Sequence, residues 1–182
     1  MGDKMSNRLS ARTSSKITMK PTDEKEMKRL HAELKQGASS IFGRSMAIRE
    51  IDTGSDGSPE IELVNLTNPA YDIEQYGITF VASPRHADVL LVTGPVTCAM
   101  ANPLRKAYES APSPKWVIAL GDDACGIGIF RESYAVIGSV DKVIPVDIKI
   151  PGNPPTPLRI LRGLLDLIKK IEKEGAGKRA RQ

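Results

Sequence analysis

The chain is poor in the residues from which sites are usually assembled. It has two cysteines, Cys98 and Cys125, 27 positions apart and with no CxxC pair. That excludes a disulfide framework and a zinc-type spacing, and it suits a reducing compartment. Aromatic residues make up 4% and are not interleaved with basic ones, which argues against a base-stacking surface and against nucleic acid as a partner. No apolar run approaches the roughly 18 residues of a membrane-spanning helix, and the N-terminus lacks the apolar core of a signal peptide. There is no P-loop and no GxGxxG turn to cradle a phosphate. Met1-Gly-Asp-Lys-Met-Ser6 matches a myristoylation pattern only formally.

What is present fits one soluble α/β domain with basic ends. At 182 residues, with 40% hydrophobic and 26% charged residues, the chain can bury a single good core. Its net charge of +4 lies at the ends. Residues 1–20 carry five basic and one acidic side chain, and residues 169–182 carry six and two. Between them stand 15 basic and 19 acidic residues, so the body is mildly acidic. We therefore expect a disordered basic tail over 1–20, an N-terminal helix over 21–38, the main domain over 39–168, and a second basic tail over 169–182.

Hydrophobic periodicity and turn chemistry give the elements. Thr22 is the expected cap of the first helix, which carries Met27, Leu30 and Leu34 on one stripe and closes at Gly37. Strands are expected over Ser45–Ile51, Ile78–Ala82 and Val89–Thr93, with a central one over Trp116–Leu120 and another over Lys142–Ile148. Helices follow over Glu60–Leu66, with Pro59 in the first turn, and through Met100, Leu104, Ala107 and Tyr108. The last helix starts at Thr156-Pro157 and bears Leu161, Leu164, Leu165 and Ile168. This alternation implies a three-layer α/β sandwich around a mainly parallel sheet, whose sites sit in loops at the strands' carboxyl ends. Three such loops stand out: Asp52-Thr-Gly-Ser-Asp-Gly-Ser-Pro59, Gly121-Asp-Asp-Ala-Cys-Gly-Ile-Gly128 and Pro151-Gly-Asn-Pro-Pro155. The acids Asp56, Glu60, Asp122 and Asp123 could in principle meet at a hard cation. A solvated rim is the simpler expectation. Cys98 and Cys125 are expected to be small buried hydrophobes, and His31 a helix-surface residue.

Several long segments, in order, resemble one family. They are Arg44-Ser-Met-Ala-Ile-Arg-Glu-Ile-Asp-Thr-Gly-Ser55, Asn68-Pro-Ala-Tyr-Asp-Ile-Glu-Gln-Tyr-Gly77, Ser83-Pro-Arg-His-Ala-Asp-Val-Leu-Leu-Val-Thr-Gly-Pro-Val-Thr97, Pro114-Lys-Trp-Val-Ile-Ala-Leu-Gly121 and Val143-Ile-Pro-Val-Asp147 with Pro151–Pro155. The resemblance, over roughly residues 40 to 168, is to the small (B, or 20 kDa) subunit of respiratory complex I and membrane-bound nickel-iron hydrogenases, in its formate-hydrogenlyase-like branch. It implies a flavodoxin-like fold. It also implies a [4Fe–4S] cluster held by four cysteine thiolates, and here those positions read Asp56, Pro59, Asp123 and Asn153. Proline has no donor, and Asp and Asn are poor stand-ins for a thiolate at a soft centre.

The expectation is therefore no bound cofactor and a non-catalytic, structural role. Such a subunit would dock on a large-subunit homologue of hydrogenase or complex I and on membrane subunits. It would sit peripherally on the cytoplasmic face of the inner membrane, with Arg85 and His86 as candidate partner contacts. The alternatives are an electron-transfer subunit whose cluster has atypical ligands, and a stand-alone flavodoxin-like binding module.

Overall fold

The computed structural model describes residues 21–179. The tail expected over 1–20 lies outside them. Five strands form one parallel sheet: β1 (Met46–Asp52), β2 (Ile78–Phe80), β3 (Val89–Thr93), β5 (Trp116–Leu120) and β7 (Ile148–Ile150). Their spatial order is β2-β1-β3-β5-β7, the order of flavodoxin-like folds when counted along the chain. The flavodoxin-like sandwich is thus the observed architecture. All five residues of β3 are buried, as a strand covered by helices on both faces requires. β3 is also the central strand, with β5 one place off centre.

Helices α1 (Pro21–Phe42), α2 (Ser58–Leu66) and α5 (Pro157–Arg179) cover one face. There Leu34, Leu66, Leu164 and Ile168 share a core with Ile48, Leu91 and Ile118 of the sheet. The helices α3 (Ala101–Ser110) and α4 (Asp122–Cys125) cover the other, where Leu104 and Ala124 meet Leu90, Val92 and Ala119. A two-stranded antiparallel pair, β4 (Val96–Thr97) with β6 (Val136–Gly138), flanks this layer.

Three boundaries differ from expectation. α1 does not close at Gly37 but runs on to Phe42, and Thr22 lies inside its first turn rather than before it. Gly37 is there for packing: a Cβ on it would lie 2.4 Å from Ile168 Cγ2, so glycine lets α1 press against α5. The last helix does not give way to a tail at Lys169. Its apolar stripe continues to the buried Ile171, while Lys169 pairs with Glu33 at 3.1 Å and Lys170 with Asp147 at 2.7 Å. Finally, β7 begins at Ile148, not at Lys142. Val140–Lys142 forms a 3-10 turn, Pro145 has no N–H to give a ladder, and pairing with β5 starts at Ile118↔Ile148.

Two side chains in the resembling segments lock the sheet's amino edge. Asp88, 8% exposed, receives both guanidinium arms of Arg44, at 2.7 and 3.0 Å, and the Ala47 amide at 2.9 Å. His31 is not a plain surface residue. It stacks on Tyr76 with ring centroids 4.1 Å apart, its Nδ1 lies 2.6 Å from the tyrosine hydroxyl, and burial lowers its pKa.

Candidate functional site

The loops after β1, β5 and β7 meet at the carboxyl edge of the sheet, and backbone bonds hold them there. The Gly121 amide donates to Ile150 O at 2.8 Å, and the Asp122 amide to Gly152 O at 3.0 Å. In return the Asp122 carboxylate accepts the Gly152 amide at 2.7 Å. This two-point clasp ties the second loop to the third. Gly94, at the end of β3, brings the fourth carboxyl-edge loop in: its φ of 71° is left-handed, and a Cβ on it would lie 2.3 Å from the Ser55 amide nitrogen. No side chain fits at that approach.

The first loop is organised by short polar side chains. Asp52 accepts the amides of Gly54 and Ser55, both at 2.8 Å. Asp56 accepts the Ser58 amide at 2.9 Å and its hydroxyl at 2.7 Å, an Asx-turn that leads the chain into α2. Those two bonds hold the exposed Asp56 carboxyl below its ordinary range.

The four positions that the resemblance gives as cluster ligands lie in these loops, and contacts of their neighbours link the loops. Pro59 is buried in the first turn of α2, and its Cγ lies 3.3 Å from where a Cβ on Gly121 would sit. The Ser58 hydroxyl is 3.4 Å from the Asn153 side-chain amide. That hydroxyl's one proton goes to Asp56, so the longer contact calls for Asn153 to donate through its nitrogen. Asp123 has one oxygen, Oδ1, buried without a hydrogen-bond partner among the described residues. Burial first, then the charges of Asp56 and Asp122, push its carboxyl up against the opposing Phe130 amide.

The expected solvated rim is thus only partly observed. Asp56 is exposed, whereas Glu60, Asp122 and Asp123 are half-buried and engaged in the loops. Among the described residues, no three His, Cys, Asp or Glu side chains are grouped to hold a metal ion.

The two thiols are placed differently from the four positions. Cys98 is exposed, contrary to expectation, because it follows the edge strand β4 on the outer layer, 3.9 Å from Tyr134 O. Cys125 is half-buried against Ala119 O at 3.6 Å, and burial pushes its pKa up to about 11. Titration of the isolated chain with a chromogenic disulfide at pH 8 should therefore give one fast thiol. The second should react only on unfolding, since the thiolate is the reactive form. Two fast thiols would contradict this placement.

Arg85 and His86 occupy an exposed 3-10 turn at the amino end of β3, the edge of the sheet opposite the three loops. They do not belong to the site. The side-chain clasp of Asp122, and the pair Glu50 and Thr93 beneath α2, had no signal in the sequence beyond their polarity.

The fold and this site define an α/β protein of flavodoxin strand order whose carboxyl-edge loops form a preformed cradle. Residues 57–167 match the family model described as NADH ubiquinone oxidoreductase, 20 Kd subunit, and the chain belongs to that family. It is 50% identical over 127 residues to an uncharacterized protein of Methanocaldococcus jannaschii, covering 70% of this chain and 85% of that one. It is 41% identical to a probable membrane-bound hydrogenase subunit of Pyrococcus furiosus, over 84% of this chain and 90% of the relative. It is also 41% identical to formate hydrogenlyase subunit 7 of Escherichia coli K12, over 95% and 68%. Among solved structures, a chain of the membrane-bound sulfane sulfur reductase, an archaeal respiratory membrane complex, superposes with a TM-score of 0.65. The identity there is 34%, and the match covers 78% of this chain and 77% of that one.

The donor set does not fit the cluster that the family resemblance implies. No thiol stands among Asp56, Pro59, Asp123 and Asn153, the buried proline offers no atom to bind iron, Cys98 is exposed beside Tyr134 O, and the Cys125 thiol is turned to Ala119 O. Hard oxygens do not replace four thiolates at iron-sulfur centres.

Proposed function

We propose that this chain is a structural docking subunit of a membrane-bound assembly related to hydrogenases and complex I, and that it works without a cluster. One observation supports the reading: the four positions where the family resemblance places cluster ligands carry polar and prolyl side chains with no thiol among them, in loops tied by hydrogen bonds. Support for the assembly comes from the relatives, which are named as a membrane-bound hydrogenase subunit, a formate hydrogenlyase subunit and a chain of a respiratory membrane complex. Among the described residues no helix is long and apolar enough to cross a membrane, so attachment would run through partner subunits. The cytoplasmic face is the side we assign.

A tagged chain purified from native membranes in mild detergent should bring down a large-subunit homologue and integral membrane subunits. Recovery of the chain alone would contradict the reading.

A further inference from the structure

A cleft of about 260 Å³ opens between α2 and the β1–β2 edge of the sheet, a short way from the cradle. Its walls are apolar, with Leu63 and Val64 from α2 and Phe80 and Val81 from the end of β2. Two carboxyl groups line it, Glu50 of β1 and Glu60 of α2. Each has its Oε1 buried without a hydrogen-bond partner among the described residues. The second oxygen of Glu60 is taken up by the Ser55 hydroxyl at 2.6 Å. The hydroxyl of Thr93, a residue with 0% exposure, faces Glu50 and opposes the rise of its carboxyl pKa, although it falls short of full hydrogen-bond geometry.

Buried acceptors without donors are costly, and an isolated fold keeps few of them. Arg49 lines the same cleft and weakly opposes the upward push that burial and Glu60 exert on the Glu50 carboxyl. Among the described residues, however, it makes no salt bridge with either acid. The cleft's surroundings point outward as well. On α2, Val64 is 69% exposed and its neighbour Ile61 is 63% exposed, which leaves an apolar rim around an acidic floor. A rim of this kind around unpaired charge is the make-up of a protein contact whose centre takes a charged anchor.

We infer that this cleft receives a lysine or arginine side chain of a partner protein, its aliphatic stem along Leu63, Val64 and Phe80 and its cationic head between Glu50 and Glu60. The inference deepens the docking role and rests on it. It fixes one contact by chemistry: long basic side chains bury their stems on apolar walls, and an arginine fork or an ammonium supplies a donor to the Oε1 of each acid.

The test uses the tagged full chain in its native membranes, as wild type and as the Glu50→Gln/Glu60→Gln double variant, with a photocrosslinking residue at Val64 in a parallel strain. The double variant should lose at least roughly tenfold of the co-purifying subunits, as loss of a buried charged contact does. As an isolated chain it should melt at or above the wild-type temperature, because two half-buried like charges no longer face each other. The crosslinked peptide should contain a lysine or arginine whose replacement by alanine reproduces the loss. If wild type itself comes down alone, the subunit reading fails and takes this contact with it. If wild type and the double variant retain their subunits equally, the subunit reading stands and the cleft is not the contact. A crosslink to lipid, or to a peptide with no basic residue, overturns the proposal too. Should the double variant fail to fold, the crosslink and the partner's alanine replacement decide.

Discussion

Replacing Asp56, Pro59, Asp123 and Asn153 together by cysteine is expected to turn this chain into an iron-sulfur protein on anaerobic reconstitution, with about four irons per chain. The bonds that aim the loops do not involve the substituted side chains. Gly121 to Ile150, Asp122 to Gly152 in both directions, and the close approach of Gly94 to Ser55 all survive. What is lost is the Asp56 brace on Ser58, about 0.5–1.5 kcal/mol for an ordinary hydrogen bond, the Ser58–Asn153 contact, the Asp123 acceptor of the Phe130 amide, and one proline from a helix's first turn.

Single substitutions should take up no cluster, because one thiolate leaves the other positions unfilled. Ile127, 62% exposed in the second loop, is no obstacle. Removing it by Ile127→Gly should therefore change little. A folded quadruple variant that stays colourless by absorbance and silent by electron paramagnetic resonance, with and without Ile127→Gly, would show that the cradle no longer has cluster geometry.

Asp88→Ala should be the most damaging single polar substitution at the sheet's other edge. It strips the Ala47 amide of its acceptor and leaves Arg44 without its carboxylate, at a site where Asp88 is almost fully buried. The expected cost is about 2–4 kcal/mol, or a drop in melting temperature of about 5–15 °C for a chain of this size. Arg44→Ala should cost no more than about 1 kcal/mol, because the Arg44 side chain is 59% exposed and solvent screens it. Urea unfolding of the two variants side by side checks the contrast. Equal losses would mean that the ion pair, not the buried acceptor, matters.

The strands buried on both faces were the legible part of the fold. Val89–Thr93 and Trp116–Leu120 are unbroken apolar runs between turn residues, and their ends fall where the runs end. Elements that lean on tertiary partners were less legible. Gly37 reads as a stop when its neighbours are unknown, yet it is the point where α1 touches Ile168. The basic run from Lys169 reads as a tail, yet Glu33 and Asp147 wait for its first two lysines. The pair β4 and β6, two and three residues long, is too short for any period to show.

The three loops of the site were legible because glycine and proline fix backbone direction locally. The contacts between them were not, since Asp122 and Gly152 are thirty positions apart and nothing in either residue's neighbourhood names the other. Arg85 and His86, the candidate partner contacts, lie in an exposed turn at the other edge of the sheet, because the segment that holds them runs along β3 from one edge to the other.

The most direct test of a docking subunit without a cluster is chemical. Wild-type chain, purified and reconstituted under anaerobic conditions with iron and sulfide, should hold no stoichiometric iron and no acid-labile sulfide after desalting. About four irons per chain, with thiolate-to-iron absorption near roughly 400 nm, would contradict the account.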